Sequence, residues 1–76
     1  MENYNIKNIV KDNRVTFERY RAGVFYYRVE VKNGPLCEFP VPVEDIGEAT
    51  LLKEDKAMLF MRYIRKAIDA GTFIEV

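Results

Sequence analysis

Few side chains in this sequence could carry chemistry. It contains no histidine and a single cysteine, Cys37. A nucleophilic thiol needs a histidine beside it or another device that stabilises the thiolate. Cys37 instead falls in the alternating run 36–43, at an inward position shared with Phe39, Val41 and Val43, where a thiol behaves as a small hydrophobe. The adjacent acids Glu44 and Asp45, and Glu54 and Asp55, are of the right type for proton transfer. Neighbouring acids near a helix start far more often serve the helix dipole and solubility. With no histidine and no second thiol, neither a metal site nor a disulfide is expected. Nothing matches the glycine spacing of a phosphate loop. The expectation is a non-enzymatic chain with no cofactor.

The stretch FERYRAGVFYYR, residues 17–28, is the strongest functional signal. Tyrosines interleaved with arginines can stack bases and neutralise phosphates, as single-stranded nucleic acid binding requires. Tyr20, Arg21, Tyr26 and Arg28 form the candidate nucleic-acid face, with Arg14 and Arg19 alongside. Twelve basic residues are balanced by twelve acidic ones, however, and a neutral chain gains little from counterion release. Nucleic acid binding is therefore the alternative, and protein, self or heterologous, is the favoured partner.

Positioning these side chains requires strands. From Val24 to Lys32 apolar and polar residues alternate, with Phe25, Tyr27, Val29 and Val31 on one face and Tyr26, Arg28, Glu30 and Lys32 on the other. Gly23 separates this strand from RVTFERY, which makes a hairpin. A two-residue loop at Ala22 and Gly23 would set Tyr20 opposite Phe25 but Phe17 opposite Arg28, placing Glu18 on the apolar side. A three-residue loop, Arg21 to Gly23, pairs Phe17 with Tyr27, Val15 with Val29 and Glu18 with Tyr26. It also puts Gly23 at a left-handed bulge position, so the hydrophobic pattern selects it. After a turn at Asn33, Gly34 and Pro35, residues 36–43 read as a third strand. Pro40 and Pro42 lack N–H groups on one side of it, so this strand is expected at an edge.

Residues 44–50 read as a connector with a turn at Asp45, Ile46 and Gly47. The long helix is expected from near Thr50 to Ala70, ended by Gly71 at C′. Residues 73–76 are short and β-prone, and could return as a fourth strand beside the first. Tyr4, Ile6, Ile9 and Val10 suggest a short apolar element at the N-terminus, followed by a turn at Lys11, Asp12 and Asn13. The fold class is α+β: a three-stranded antiparallel meander packed on one long C-terminal helix, with a short N-terminal element.

Three antiparallel strands followed by a long helix is similar, in order, to the later part of a double-stranded RNA-binding domain. That resemblance implies lysines against phosphates at the start of the last helix. The matching residues are Lys53, Glu54, Asp55 and Lys56, two of them acids, and no histidine follows Gly34 and Pro35. The likeness is one of topology, and the RNA function is not carried over.

At about 100° per residue, Ala57, Phe60, Met61, Ile64, Ala67 and Ile68 form a stripe for the sheet. Leu52, Leu59 and Tyr63 lie on a second stripe, so the apolar arc is wider than one sheet face needs. Leu52, Met58, Leu59 and Tyr63 are the candidate protein interface, and Leu59→Glu is expected to spare the fold while weakening association. Length supports this emphasis. A 76-residue chain is one domain that buries only about 60% of its unfolded surface, so oligomerisation is the natural further support. The N-terminus has no basic leader before an apolar run, and no window approaches the roughly 18 apolar residues of a membrane span. The expectation is a soluble cytoplasmic protein-interaction module, homodimeric or an accessory or inhibitor-type protein of a bacterium or phage.

Overall fold

The hairpin resolves its register with a device that combines both loop lengths considered above. A computed structural model describes residues 15–31, 34–51 and 56–76, with the backbone alone at 49–51. The expected N-terminal element, Arg14, and residues 52–55 with Leu52 lie outside the described residues. Strand β1 (Val15–Arg21) pairs antiparallel with β2 (Val24–Glu30). Val15 faces Val29 and Phe17 faces Tyr27, as the apolar pattern requires. The register then shifts between Phe17 and Arg19, so that Arg19 faces Tyr26, Tyr20 faces Phe25 and Arg21 faces Val24. The expected three-residue loop is thus replaced by a two-residue one. Ala22 and Gly23 both have positive φ, 51° and 79°, the signature of the hairpin turn whose twist matches that of the strands. A bulge at Glu18 absorbs the extra residue and restores the apolar register.

Strand β3 (Leu36–Pro42) pairs with β2 over its full length, and β4 (Ile74–Glu75) joins its other side. The sheet order is β1-β2-β3-β4, so the last strand lies beside the third and not, as expected, beside the first. The backbone explains both the pairing and its shortness. Val43 donates its N–H to the Gly23 carbonyl at 3.0 Å, while the Leu36 carbonyl accepts from Val76 N–H at 2.8 Å. Odd positions of β3 therefore address β2, and even positions address β4. Pro40 and Pro42 are even, and neither has an N–H to offer on that side. Strand β4 pairs at Cys37 and Glu38 and stops before Pro40. Among the described residues, half of β3 is the open edge that the prolines demand, and the other half is not.

The segment expected to be a connector is a helix, α1 (Val43–Leu51). Glu44 and Asp45 occupy its first turn, where they complement the positive end of the dipole. Gly47, which costs about 1 kcal/mol relative to alanine inside a helix, made the segment read as a turn. Helix α2 (Lys56–Ala70) follows. It ends as the sequence indicates: Gly71 has φ of 74°, Thr72 N–H donates to Ala67 O at 2.8 Å and Gly71 N–H to Ile68 O at 3.2 Å. That pair of bonds satisfies two of the last carbonyls of the helix, those of Ala67 and Ile68.

Both helices pack on β3 and on each other. Among the described residues, the buried apolar side chains are Val29, Cys37, Phe39 and Val41 from the sheet and Leu59, Ile64 and Ala67 from α2. The Cys37 thiol is buried inside this core and forms no disulfide. Ile46 of α1, with Ala57, Phe60, Met61, Tyr63 and Ile68 of α2, packs around it. The wide apolar arc of α2 therefore has two consumers, the sheet on one flank and α1 on the other.

Candidate protein-binding site

Helix α2 covers only part of the sheet, and the reason is width. A helix with its side chains is about 10–12 Å across, whereas four strands about 4.8 Å apart need more than that. Because α2 sits over β3, the β1–β2 side of the same face is left as a shelf. Tyr27 marks the boundary: its ring lies 4.9 Å from Phe60 of α2 and stacks on Phe39 at 5.9 Å. From there a series of edge-to-face contacts runs outward. Tyr27 meets Phe25 at 6.3 Å and Phe17 at 5.9 Å, Phe17 meets Phe25 at 5.5 Å, and Phe25 meets Tyr20 at 5.5 Å. Phe17 and Tyr20, at the outer end, are 55% and 56% exposed. Burial pushes the Tyr27 phenol up from its usual range, because the charged form is penalised near the core.

Phe25, and Phe17 paired with Tyr27, lie on the apolar sheet face that the helix stripe was expected to cover. Phe17 is instead bare, and Phe25 is half-buried. The comparison of helix diameter with sheet width was a signal available from the strand count alone. Tyr20 was expected on the solvated face with Tyr26. The bulge at Glu18 moves it to the aromatic face, opposite Phe25.

The candidate nucleic-acid face is divided by the same bulge: Arg21, Tyr26 and Arg28 stay on one side of the sheet and Tyr20 goes to the other. Of what remains, Tyr26 and Arg28 are engaged within the sheet. Arg19 lies over the Tyr26 ring, 4.3 Å from its centroid, and reaches across it to donate two hydrogen bonds to the Glu38 carboxylate. The hydrogen bond to Glu38 is the main cause that raises the Arg19 guanidinium above its ordinary range. Arg28 lies 3.5 Å from Glu18 and 4.0 Å from Glu38. The longer distance is charge proximity and not a hydrogen bond, and Arg28 Nε has no hydrogen-bond partner. A base seeking the Tyr26 ring would have to displace Arg19, and a phosphate would compete with two carboxylates.

The quartet read from the helix also separates. Leu59 is 2% exposed and belongs to the core. It is not an interface residue, and Leu59→Glu would bury a charge. The physical reason is α1: a connector read as irregular is a helix whose Ile46 packs against the cluster containing Leu59. Met58 is 70% exposed. Tyr63 is half-buried, with the Lys66 ammonium 4.8 Å from its ring centroid and the Arg62 guanidinium 6.0 Å away. Among the described residues, no helix is long and apolar enough to cross a membrane, and no three Cys, Asp or Glu side chains converge as metal ligands would. No family model, curated protein or solved structure matches this chain.

Proposed function

We propose that this chain works by binding protein through the aromatic shelf of its hairpin, without catalysis, in the cytoplasm, and that the occupant is a second copy of itself. The observation that carries this reading is the exposure of Phe17 and Tyr20 at the end of an aromatic series continuous with the core. Scattered apolar side chains are ordinary on a protein surface, but contiguous bare rings mark contact sites. A core that runs outward without a boundary is the form of an obligate homodimer interface, which resembles a domain core cut in half.

Three further arguments favour a second copy. So short a chain has a small core of its own, and a shared one adds to it. A formal net charge of zero imposes no long-range repulsion between copies. A two-fold axis through the shelf sets ring against ring, in the edge-to-face geometry that aromatic pairs prefer. Phe17 and Tyr20 leave roughly 200 Å² bare between them, judged from the area such rings bury. A stable interface takes about 800 Å² per partner, so these two rings form its dry centre and the rim supplies the rest.

The test is sedimentation equilibrium on the wild-type chain and on Tyr20→Glu, with circular dichroism to show that the variant folds. Tyr20 is more than half exposed, so its replacement leaves the core intact. The wild type is expected to show twice the chain mass. Tyr20→Glu should weaken the dimer by at least about 30-fold, the effect of losing a central aromatic contact. A wild-type monomer at every concentration, or a dimer indifferent to Tyr20→Glu, overturns the assignment.

A further inference from the structure

The prolines that stop β4 leave a vacancy beside them, and α2 roofs it. Among the described residues, no strand covers the edge of β3 beyond Glu38, and the chain leaving α2 passes through Gly71 and Thr72 into β4. The result is an open groove of about 220 Å³. Pro40 and Pro42 line its sheet side, Tyr63, Ala67 and Ala70 its helix side, and Lys66 stands among them. The two alanines keep the helix wall low, since a larger side chain at either position would occupy the space. The site lies away from the aromatic shelf and does not depend on it.

We infer that this groove binds a small aryl carboxylate, with the ring between the prolines and Tyr63 and the carboxylate on Lys66. Volume sets the size. The groove is smaller than the about 300–1,000 Å³ of sites for drug-sized ligands, which limits the occupant to a single ring with a short acid arm. The walls set the shape, because pyrrolidine and phenol rings are stiff and present broad apolar faces, which a planar ring can cover. Charge sets the sign. The Lys66 ammonium stands 4.8 Å from the Tyr63 ring centroid, Arg62 flanks the same ring, and among the described residues no carboxylate pairs with Lys66. An ammonium held over an aromatic face at the mouth of an apolar groove is a fixed anion contact whose stem stays packed. A neutral ring would forgo it, and an amine would be repelled.

The probe is phenylacetate, titrated at constant pH into the isotopically labelled full chain and followed by amide chemical shifts. Saturable shifts are expected at Ala67, Ala70 and Thr72, with a dissociation constant on the order of 1 mM, as befits about ten non-hydrogen atoms in an open site. Phenylacetamide, which keeps the ring and lacks the charge, should bind about 1.5- to fivefold more weakly, the range of an exposed ion pair. Lys66→Gln should weaken phenylacetate by a similar factor. Ala70→Leu, at an exposed helix position, should fill the groove and abolish the shifts while the circular dichroism spectrum is unchanged. Absence of saturation up to about 20 mM, well beyond the expected constant, overturns the inference. So do equal affinities for acid and amide, or saturable shifts confined to the hairpin.

Discussion

Ala22 is the residue at which the two hairpin registers make opposite predictions. In the structure its φ is 51°, a left-handed conformation that costs an L-residue with a Cβ about 1–2 kcal/mol. Asparagine visits this region more readily and is the preferred first residue of such a turn before glycine. Ala22→Asn should therefore stabilise the fold by about 0.5–1 kcal/mol. For a chain this short, that raises the melting temperature by about 2–8 °C. Ala22→Gly relieves the same strain but enlarges the unfolded ensemble by about 0.4–1 kcal/mol, so it should range from neutral to mildly stabilising. Ala22→Val, β-branched, should lose about 1 kcal/mol. Urea and thermal unfolding followed at 222 nm, at one fixed protein concentration, give the order Asn, Gly, Ala, Val. In a three-residue loop only Gly23 would be left-handed, and Ala22 would be an ordinary right-handed position. Ala22→Gly would then cost about 0.4–1 kcal/mol through chain entropy, and Ala22→Val would be close to neutral. A destabilised glycine variant beside an unaffected valine variant refutes the two-residue turn, and with it the bulge that delivers Tyr20 to the shelf.

Two further outcomes test the packing around the core. Leu59→Ala should cost about 2–5 kcal/mol, as buried leucine truncations do, whereas Met58→Ala, one residue away but 70% exposed, should stay within about 0.5 kcal/mol of wild type; urea midpoints of comparable size would mean that Leu59 is not core. Alkaline pH should also weaken the fold. The Tyr27 phenol is raised by burial, so above the ordinary tyrosine range, near pH 10, the unfolded chain gives up this proton before the folded one does. Stability then falls as pH rises through that window. Tyr27→Phe keeps the ring contacts and should flatten the decline; a variant with an unchanged slope between about pH 9 and 11 removes Tyr27 as its cause.

The strands were legible because their signals are local. Alternation over Val24–Glu30 marks a half-buried strand whatever it packs against, and Gly71 ends α2 through its own left-handed φ. Sequence erred where one local signal concealed a second. At the hairpin, parity demanded one register and the turn another, and both hold because the backbone admits an extra residue at Glu18. Within α1, Gly47 outweighed the acids at its start, although its propensity cost is modest beside the packing of Ile46 against the core.

By itself the amino-acid sequence determined the first three strands, the long helix and their polarity: which faces are apolar, that a hairpin forms at Gly23, that Pro40 and Pro42 cannot donate, and that the chain is neutral. These follow from backbone sterics and side-chain chemistry within a few residues. Tertiary structure alone decided which apolar face is covered. Whether Leu59 meets solvent depends on α1 lying beside α2, and whether Phe17 is bare depends on α2 lying over β3 and not over β1. A helix stripe records how much surface must be hidden but not which element hides it. The unfilled part is therefore visible only once all the described elements are in place, and here it is the aromatic end of the hairpin.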